Sequence, residues 1–195
     1  MPESCTGKRH WTYKLTRLGA CLEAVEWASQ FTTVQEAWAV CTRGGWLVWL
    51  CRKVPTRVNN KRAYVRTALA IAESVKESSF PVPEAEAARK ATQDWLNNPS
   101  AKTRAAAARA ADAARVAAGP AYASDAVYTA TYAAYAAASP AYNAVYAVRA
   151  AANAVACATY TPKNKKIADI IRRFLTCPKL RKLKSRKLQK STTTD

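Results

Sequence analysis

Apolar residues recur every three or four positions through most of the chain, which is the period of an α-helix with one buried face. The clearest stripe consists of Tyr64, Ala68, Ile71 and Val75. It predicts a helix that runs to about residue 76. Pro83 fits the first turn of the next predicted helix, which runs to about Leu96. Asn59 or Asn60 would cap the first turn of the earlier helix, because an asparagine side-chain oxygen accepts a hydrogen bond from a backbone N–H two or three residues on.

Three shorter helices are predicted before this one. Leu22 and Val25, with Cys21 and Trp27 at the edges, indicate a helix over 20–30. Thr32 or Thr33 followed by Glu36 is a capping-box pattern, which predicts a second helix over 34–41 with Trp38 facing inward. The sequence Thr-Arg-Gly-Gly at 42–45 then interrupts the chain, and a third helix over 46–53 ends before Pro55.

The second half of the chain is rich in alanine, the residue with the highest helix propensity. The pairs Gly119-Pro120 and Ser139-Pro140 divide residues 101–160 into three predicted helices, because proline is tolerated only in a helix's first turn. Small side chains allow these helices to pack closely in an antiparallel stack. Tyrosines at helical spacing form a seam along it, at Tyr128, Tyr132, Tyr135, Tyr142 and Tyr146.

A final amphipathic helix begins at Thr161-Pro162, with its apolar face at Ile167, Ile170, Ile171, Phe174 and Leu175. These patterns predict an all-α, single-domain bundle of about eight helices that includes an alanine-rich antiparallel stack. The helical domain is expected to cover residues 1–178. Residues 179–195 are expected to form a basic, disordered C-terminal tail.

The net charge of the chain indicates which classes of partner it could bind. The chain has 31 Lys and Arg against 13 Asp and Glu, a formal net charge of +18. Two basic clusters are candidate binding sites for DNA or RNA phosphates or for an acidic protein surface. The first cluster is Arg43, Arg52, Lys53, Arg57, Lys61, Arg62 and Arg66. The second lies in the tail and consists of Lys179, Arg181, Lys182, Lys184, Arg186 and Lys187.

Candidate catalytic chemistry is sparse, so the protein is predicted not to be an enzyme. The single histidine, His10, has no sequence cue that pairs it with any of the six cysteines. Cys41 and Cys51 are too widely spaced for a paired zinc site, and the five glycines form no phosphate-binding loop. No cofactor or metal is expected. Trp38, Trp46 and Trp49 are interpreted as core residues.

The chain is predicted to be cytoplasmic. Its N-terminus, MPESCTGKRHW, lacks the apolar region of a signal peptide. No uninterrupted apolar run reaches the roughly 20 residues of a membrane span. The cysteines are accordingly expected to stay reduced, and Cys21, Cys41, Cys51 and Cys157 lie in apolar sequence surroundings.

The segment CLEAVEWASQFTTVQEAWAVCTRGGWLVWL, residues 21–50, resembles the opening of the Imm-five-like family of phage and bacterial immunity proteins. The matching positions are Cys21, Glu23, Ala24, Trp27, Glu36, Ala37, Trp38, Cys41, Arg43, Gly44, Trp46, Trp49 and Leu50. The resemblance covers about residues 18–178 and includes the shape of the end segment IADIIRRFLTCP. Gly45 stands where the family usually has Asp, and the basic segment after Pro178 has no counterpart.

The resemblance implies a non-enzymatic protein that neutralises or occludes a partner protein. Inhibitors of nucleases are usually acidic, because they imitate the phosphate backbone, whereas this chain is strongly basic. A partner of an immunity-like protein with this charge would therefore have an acidic surface. The alternative hypothesis is a nonspecific nucleic-acid-binding protein that uses the tail and the 43–66 cluster.

Overall fold

The computed structural model of the 195-residue chain describes residues 10–75, 83–118, 125–139, 144, 146–151 and 162–180. Within these ranges every regular element is an α-helix and no strand occurs, which confirms the predicted all-α, single-domain bundle. The predicted boundary between a helical domain and a disordered tail stays a prediction, because residues 181–195 lie outside the described ranges. No helix in the described parts of the chain is both long and apolar enough to cross a membrane.

The described helices include one short element that the sequence analysis did not predict, α1. In chain order the helices are α1 (Tyr13–Arg17), α2 (Leu22–Ala28), α3 (Val34–Val40), α4 (Gly44–Lys53), α5 (Lys61–Ser74), α6 (Pro83–Asn97), α7 (Ala101–Ala118), α8 (Asp125–Ala138), α9 (described at 144 and 146–151) and α10 (Pro162–Phe174). The predicted breaks at Gly119-Pro120 and at Pro140 lie outside the described residues.

Helix α8 forms the centre of the alanine-rich stack and packs against α5, α6 and α7. The residues at these contacts are small and completely buried: Ala107, Ala111 and Ala114 of α7, and Ala130, Ala133, Ala134 and Ala137 of α8. With only methyl groups between them, the helix axes can lie close together, and dispersion contacts replace the burial that large side chains would give. The stripe predicted for α5 is confirmed, since Tyr64, Ala68, Ile71 and Val75 are all buried.

Two predicted helix starts are confirmed by their capping bonds. The Thr33 hydroxyl accepts a hydrogen bond from the N–H of Glu36, and the Glu36 carboxylate accepts one from the N–H of Thr32. At α5 the cap is Asn60, whose side-chain oxygen accepts from the N–H of Ala63 at 3.1 Å. Asn59, the alternative cap, has a different role and is buried against the chain segment after α10.

Helix α4 begins two residues earlier than the sequence pattern predicts, because Gly44 and Gly45 are part of its first turn. Gly44 is buried where α4 crosses α10. A Cβ atom at this position would lie 2.8 Å from Cδ1 of Ile171 and 3.0 Å from Cγ2 of Ile167. The glycine is therefore needed for close approach of two helices and does not serve as a chain break.

Several helices end on a basic side chain from elsewhere in the fold. Lys61 donates to the carbonyl of Ala137 at 2.7 Å, near the end of α8, and Arg62 donates to that of Leu96 at 2.7 Å, near the end of α6. Two basic residues of α10 make the same kind of contact. Lys166 donates to the carbonyl of Ser74 at the end of α5, and Arg172 donates to the carbonyls of Trp38 and Cys41 at the end of α3. Cations suit these positions because the last carbonyls of a helix lack backbone partners and carry partial negative charge.

Candidate functional site

Helices α1–α4 surround an apolar cavity of about 410 Å³, called the tryptophan cavity below. Five of the six tryptophans line it: Trp11, Trp27, Trp38, Trp46 and Trp49. The prediction that tryptophans at the front of the chain are core residues is correct for Trp38, which is 8% exposed. It is wrong for Trp46 and Trp49, which are half-buried and pack on the edge of the core.

Helix α2 turns a different face to the body than its sequence stripe predicts. Leu22 is 71% exposed, and Cys21 precedes the helix as an exposed residue. Trp27, expected at the edge of the stripe, lines the cavity and packs against Trp46 with ring centroids 5.7 Å apart. Packing of Trp27 against the indole of α4 therefore accounts for the face of this short helix that is turned inward.

The imidazole of His10 is held by neighbours other than cysteines. Its Nε2 lies 3.1 Å from the carbonyl oxygen of Phe31, which can only accept, so Nε2 is the donor. Nδ1 lies 2.8 Å from the hydroxyl of Thr12. With both ring nitrogens engaged, the geometry gives this histidine an anchoring role next to Trp11, whose indole N–H donates to the same carbonyl at 2.8 Å.

The described buried thiols are poor nucleophiles. Burial raises the pKa of Cys51 to about 12, with a smaller contribution from Cys177, and raises the pKa of Cys177 to about 11. Burial also raises the pKa of Cys41. These three groups are neutral near pH 7 and lack the thiolate that nucleophilic catalysis requires. Cys157 lies outside the described residues. Among the described residues, no group of three or more His, Cys, Asp or Glu side chains could hold a metal ion.

Three cations of the predicted 43–66 cluster lie against aromatic rings. Arg43 stacks 4.5 Å from the ring centre of Trp46 and forms an ion pair with Glu23 at 2.5 Å. The guanidinium of Arg52 lies 4.4 Å from the ring centre of Tyr146. Lys53 approaches Trp49 at 5.9 Å. These contacts place part of the cluster at the outer wall of the tryptophan cavity.

Two further members of the cluster, Lys61 and Arg62, donate to carbonyls at the ends of α8 and α6 as described above. Lys61 also lies 4.4 Å from the ring centre of Trp95, and burial, together with the nearby Arg104, lowers its pKa. Arg57, Arg66 and Lys179 are exposed. The remaining predicted binding residues, Arg181, Lys182, Lys184, Arg186 and Lys187, lie outside the described chain.

The structure brings Arg62 and Arg66 together with α10 in a different arrangement, a groove of about 590 Å³ between α5, α6 and α10. The groove continues along α10 into a neighbouring hollow that shares Ile170 and Arg173 with it. We call this surface the cationic groove. Its basic side chains are Arg62, Arg66, Lys165, Lys166 and Arg173, and its apolar side chains are Leu69, Leu96, Ile170 and Phe174.

The two carboxylates of the cationic groove are paired with arginines that do not line it. Glu73 lies 3.7 Å from Nε of the buried Arg89. Asp169 accepts from Arg172 at 2.6 Å. The groove cations Arg62 and Lys166 donate instead to neutral backbone carbonyls, so their formal charges are not cancelled. The groove therefore keeps a clear excess of positive charge.

Lys165, Lys166 and Arg173 were missed as site residues by the sequence analysis. Their signal was present, since they occupy the polar face of an amphipathic helix. Periodicity identifies that face but not its neighbours, and only packing of α10 beside α5 and α6 shows that these cations join Arg62 and Arg66.

Comparison with known proteins found no matching protein-family model, no similar curated protein and no similar solved structure. The resemblance of residues 21–50 to the Imm-five-like family therefore stays a prediction.

Proposed function

We propose that the protein is a non-enzymatic binding protein whose cationic groove docks an acidic, partly apolar segment of a partner protein. The observation that carries this proposal is the combination of an apolar floor and a basic rim. Ile170 and Phe174 are half-buried in the floor, while Arg66 and Arg173 are exposed at its edges. Such a surface suits an amphipathic segment that buries apolar side chains and offers carboxylates to the rim.

The apolar floor favours a protein partner over a nucleic acid. Binding to phosphates needs clustered cations and gains its affinity from counterion release, with no requirement for buried apolar area. The alternative, nonspecific nucleic-acid binding, rests on the cations of residues 179–195 and of the 43–66 cluster. Two members of that cluster are engaged within the fold, since Lys61 donates to the carbonyl of Ala137 and Arg52 stacks on Tyr146.

Occlusion of the partner's working surface, as the resemblance to immunity proteins implies, is part of this proposal. The groove charge requires the occluded surface to be acidic. Charge complementarity of this kind mainly accelerates association and selects the partner, while the apolar contacts supply the slow dissociation. A complex of this type is expected to persist at salt concentrations that disperse purely electrostatic ones.

The test compares two triple variants with the same change in charge. Arg66→Glu/Lys165→Glu/Arg173→Glu reverses the groove, and Arg17→Glu/Lys102→Glu/Arg109→Glu reverses three exposed cations outside it. Each variant is used to pull down partners from a nuclease-treated lysate of the cells in which the protein is naturally made. The complex is then reconstituted from purified components and its affinity is measured. We expect the groove variant to lose affinity at least tenfold, about 1.4 kcal/mol, relative to the control variant.

Salt dependence separates the two hypotheses. If the protein binds random duplex DNA with an affinity that falls steeply with salt and disappears when residues 179–195 are deleted, the nucleic-acid alternative replaces the proposal. Equal loss of the protein complex in both triple variants would show that net charge, and not the groove, is responsible. Substrate turnover that depends on His10 or a cysteine would contradict both hypotheses.

A further inference from the structure

The tryptophan cavity is separate from the cationic groove and is not used by the function proposed above. Its volume of about 410 Å³ falls in the range of small-molecule sites. Protein interiors are otherwise packed about as densely as organic crystals, so an opening of this size between four short helices calls for an explanation. In the alanine-rich half of the same fold the helix contacts are closely packed, and Ala111, Ala130 and Ala134 are completely buried.

The walls of the cavity are aromatic and are held in place before any ligand arrives. Trp27 packs against Trp46 and also against Phe31, with ring centroids 5.7 Å and 4.8 Å apart. The indole N–H of Trp11 is fixed to the carbonyl of Phe31. Pre-ordered indoles present flat faces and edges suited to another aromatic ring, and they lose little conformational entropy when they bind one.

The charged group at the cavity is a cation. Arg149 of α9 lines both the tryptophan cavity and an adjacent hollow bordered by Tyr132, Tyr135 and Tyr146. It is half-buried, and it makes no hydrogen bond or ion pair within the described part of the chain. A guanidinium in this position can bind a carboxylate through two parallel N–H···O bonds.

An ammonium ligand is disfavoured by the same residues. Aromatic cages bind quaternary and primary ammonium groups through ring faces, but here two of the five indoles already have a cation beside them. Arg43 covers Trp46 and Lys53 lies near Trp49. The nearby carboxylate of Glu23 is paired with Arg43, and the described residues lining the cavity include no Asp or Glu.

From this geometry we infer that the tryptophan cavity is a binding site for a small aromatic carboxylate, with the ring system among the indoles and the carboxylate on Arg149. The expected ligand class is a one- or two-ring aromatic acid. The thiol of Cys41, one of the lining residues, donates a hydrogen bond to the carbonyl of Arg43 at 3.6 Å.

Calorimetric titration of the full-length protein tests the inference with three probes that share one ring system: naphthylacetate, naphthylethanol and naphthylethylamine. We expect the acid to bind at least tenfold more tightly than the amine, with the alcohol in between. Arg149→Gln should weaken binding of the acid about tenfold and leave the alcohol unchanged, since a charge-assisted pair is lost. Arg109→Gln, a change of the same kind on the exposed face of α7, should alter neither.

Filling the cavity gives an independent readout. Ala24→Phe and Ala20→Phe place a ring inside from two half-buried wall positions, and each should abolish binding of the acid and the alcohol while the helical circular dichroism is kept. The groove variant Arg66→Glu/Lys165→Glu/Arg173→Glu should bind the acid normally, so that failure here is distinguishable from failure of the proposed function. Equal affinity for acid and amine, an unaffected Arg149→Gln variant, or no binding of any probe at about 1 mM would overturn the inference.

Discussion

Asn59 and Thr176 are joined by a pair of hydrogen bonds across 117 positions of the chain. The side-chain oxygen of Asn59 accepts from the N–H of Thr176 at 2.8 Å, and its Nδ2 donates to the Thr176 carbonyl at 2.8 Å. Asn59 is 5% exposed. One buried amide thus satisfies both backbone groups of a residue that follows α10 and fixes the end of that helix beside the start of α5.

Replacement of this amide tests how much the tie contributes. We expect Asn59→Ala to lower the free energy of unfolding by about 1–3 kcal/mol, because the backbone N–H and carbonyl of Thr176 lose the buried amide that binds them. Urea denaturation measures the change. The matched control is Asn98→Ala, an exposed asparagine whose side chain makes no described contact, with an expected effect within about 0.5 kcal/mol. Equal losses in the two variants would contradict the assignment.

Gly44 supplies a second prediction, because the usual effect of a helical Gly→Ala change should be reversed. Alanine in a helix interior normally stabilises by about 1 kcal/mol relative to glycine. Here the new methyl group would press on Ile171 and Ile167, both of which are buried, so Gly44→Ala is expected to destabilise by about 1–3 kcal/mol. Thermal or urea unfolding of Gly44→Ala and of Gly45→Ala, the neighbouring glycine of α4, should move in opposite directions.

Rescue identifies the cause of that loss. Ile171→Val removes Cδ1, the atom nearest to the added Cβ. The double variant Gly44→Ala/Ile171→Val should therefore be more stable than the sum of the two single effects predicts. Strict additivity would mean that the contact between α4 and α10 is not the reason for the glycine.

The free energy of unfolding should fall at alkaline pH because Cys51 is buried. Its pKa is about 12 in the folded protein against an ordinary value of 9.0, because burial disfavours the thiolate. Between these values the folded state holds the proton more tightly than the unfolded state, so stability is fully present below pH 9 and falls as pH rises toward 12. The loss amounts to at most about 1.4 kcal/mol per pH unit for one thiol.

A comparison of variants isolates this thiol from the other groups that titrate in the same range. Urea denaturation at a series of pH values should show the stability difference between the native chain and Cys51→Ala shrinking as pH rises above 9. Val48→Ala, which shortens a fully buried and uncharged side chain of the same helix, should give a difference that does not change with pH. A constant difference for Cys51→Ala as well would contradict the prediction.

Arg172 links the cavity wall to α10 through the end of α3. Arg172→Met is expected to lower the free energy of unfolding by about 2–3 kcal/mol, because the carbonyls of Trp38 and Cys41 lose a charged donor. Arg173→Met, the next residue, should change stability by less than about 0.5 kcal/mol, since its side chain is exposed. Asp169→Asn should also have a small effect, because the Asp169 carboxylate that pairs with Arg172 is itself exposed to solvent.

Local signals in the sequence were sufficient for the helices and most of their starts. The Thr33–Glu36 capping box and the α5 stripe depend on residues three or four positions apart, so their geometry is decided within one or two turns. Gly44 shows where such reasoning fails. A glycine pair suggests a break when only the chain is considered, whereas α10, more than a hundred residues later, requires the missing side chain.

The candidate sites were predictable only in part for the same reason. Arg62 and Arg66 were named as members of the 43–66 cluster, but the groove that contains them also includes Arg173 from α10. Trp46 and Trp49 look like core residues because large apolar side chains usually are. Whether they fill a core or line a cavity depends on the angles between α1, α2, α3 and α4, which no local pattern specifies.

Basic residues that close helix ends tie the charge of this protein to its folding. At the ends of α3, α5, α6 and α8, carbonyls of the last turn accept hydrogen bonds from lysine or arginine side chains. Acetylation of Lys61 or Lys166, or drift of these positions toward neutral residues, would loosen a helix terminus at the same time as it reduced the surface potential. A less basic variant would thus also be a less stable one, even if its partner bound equally well without these charges.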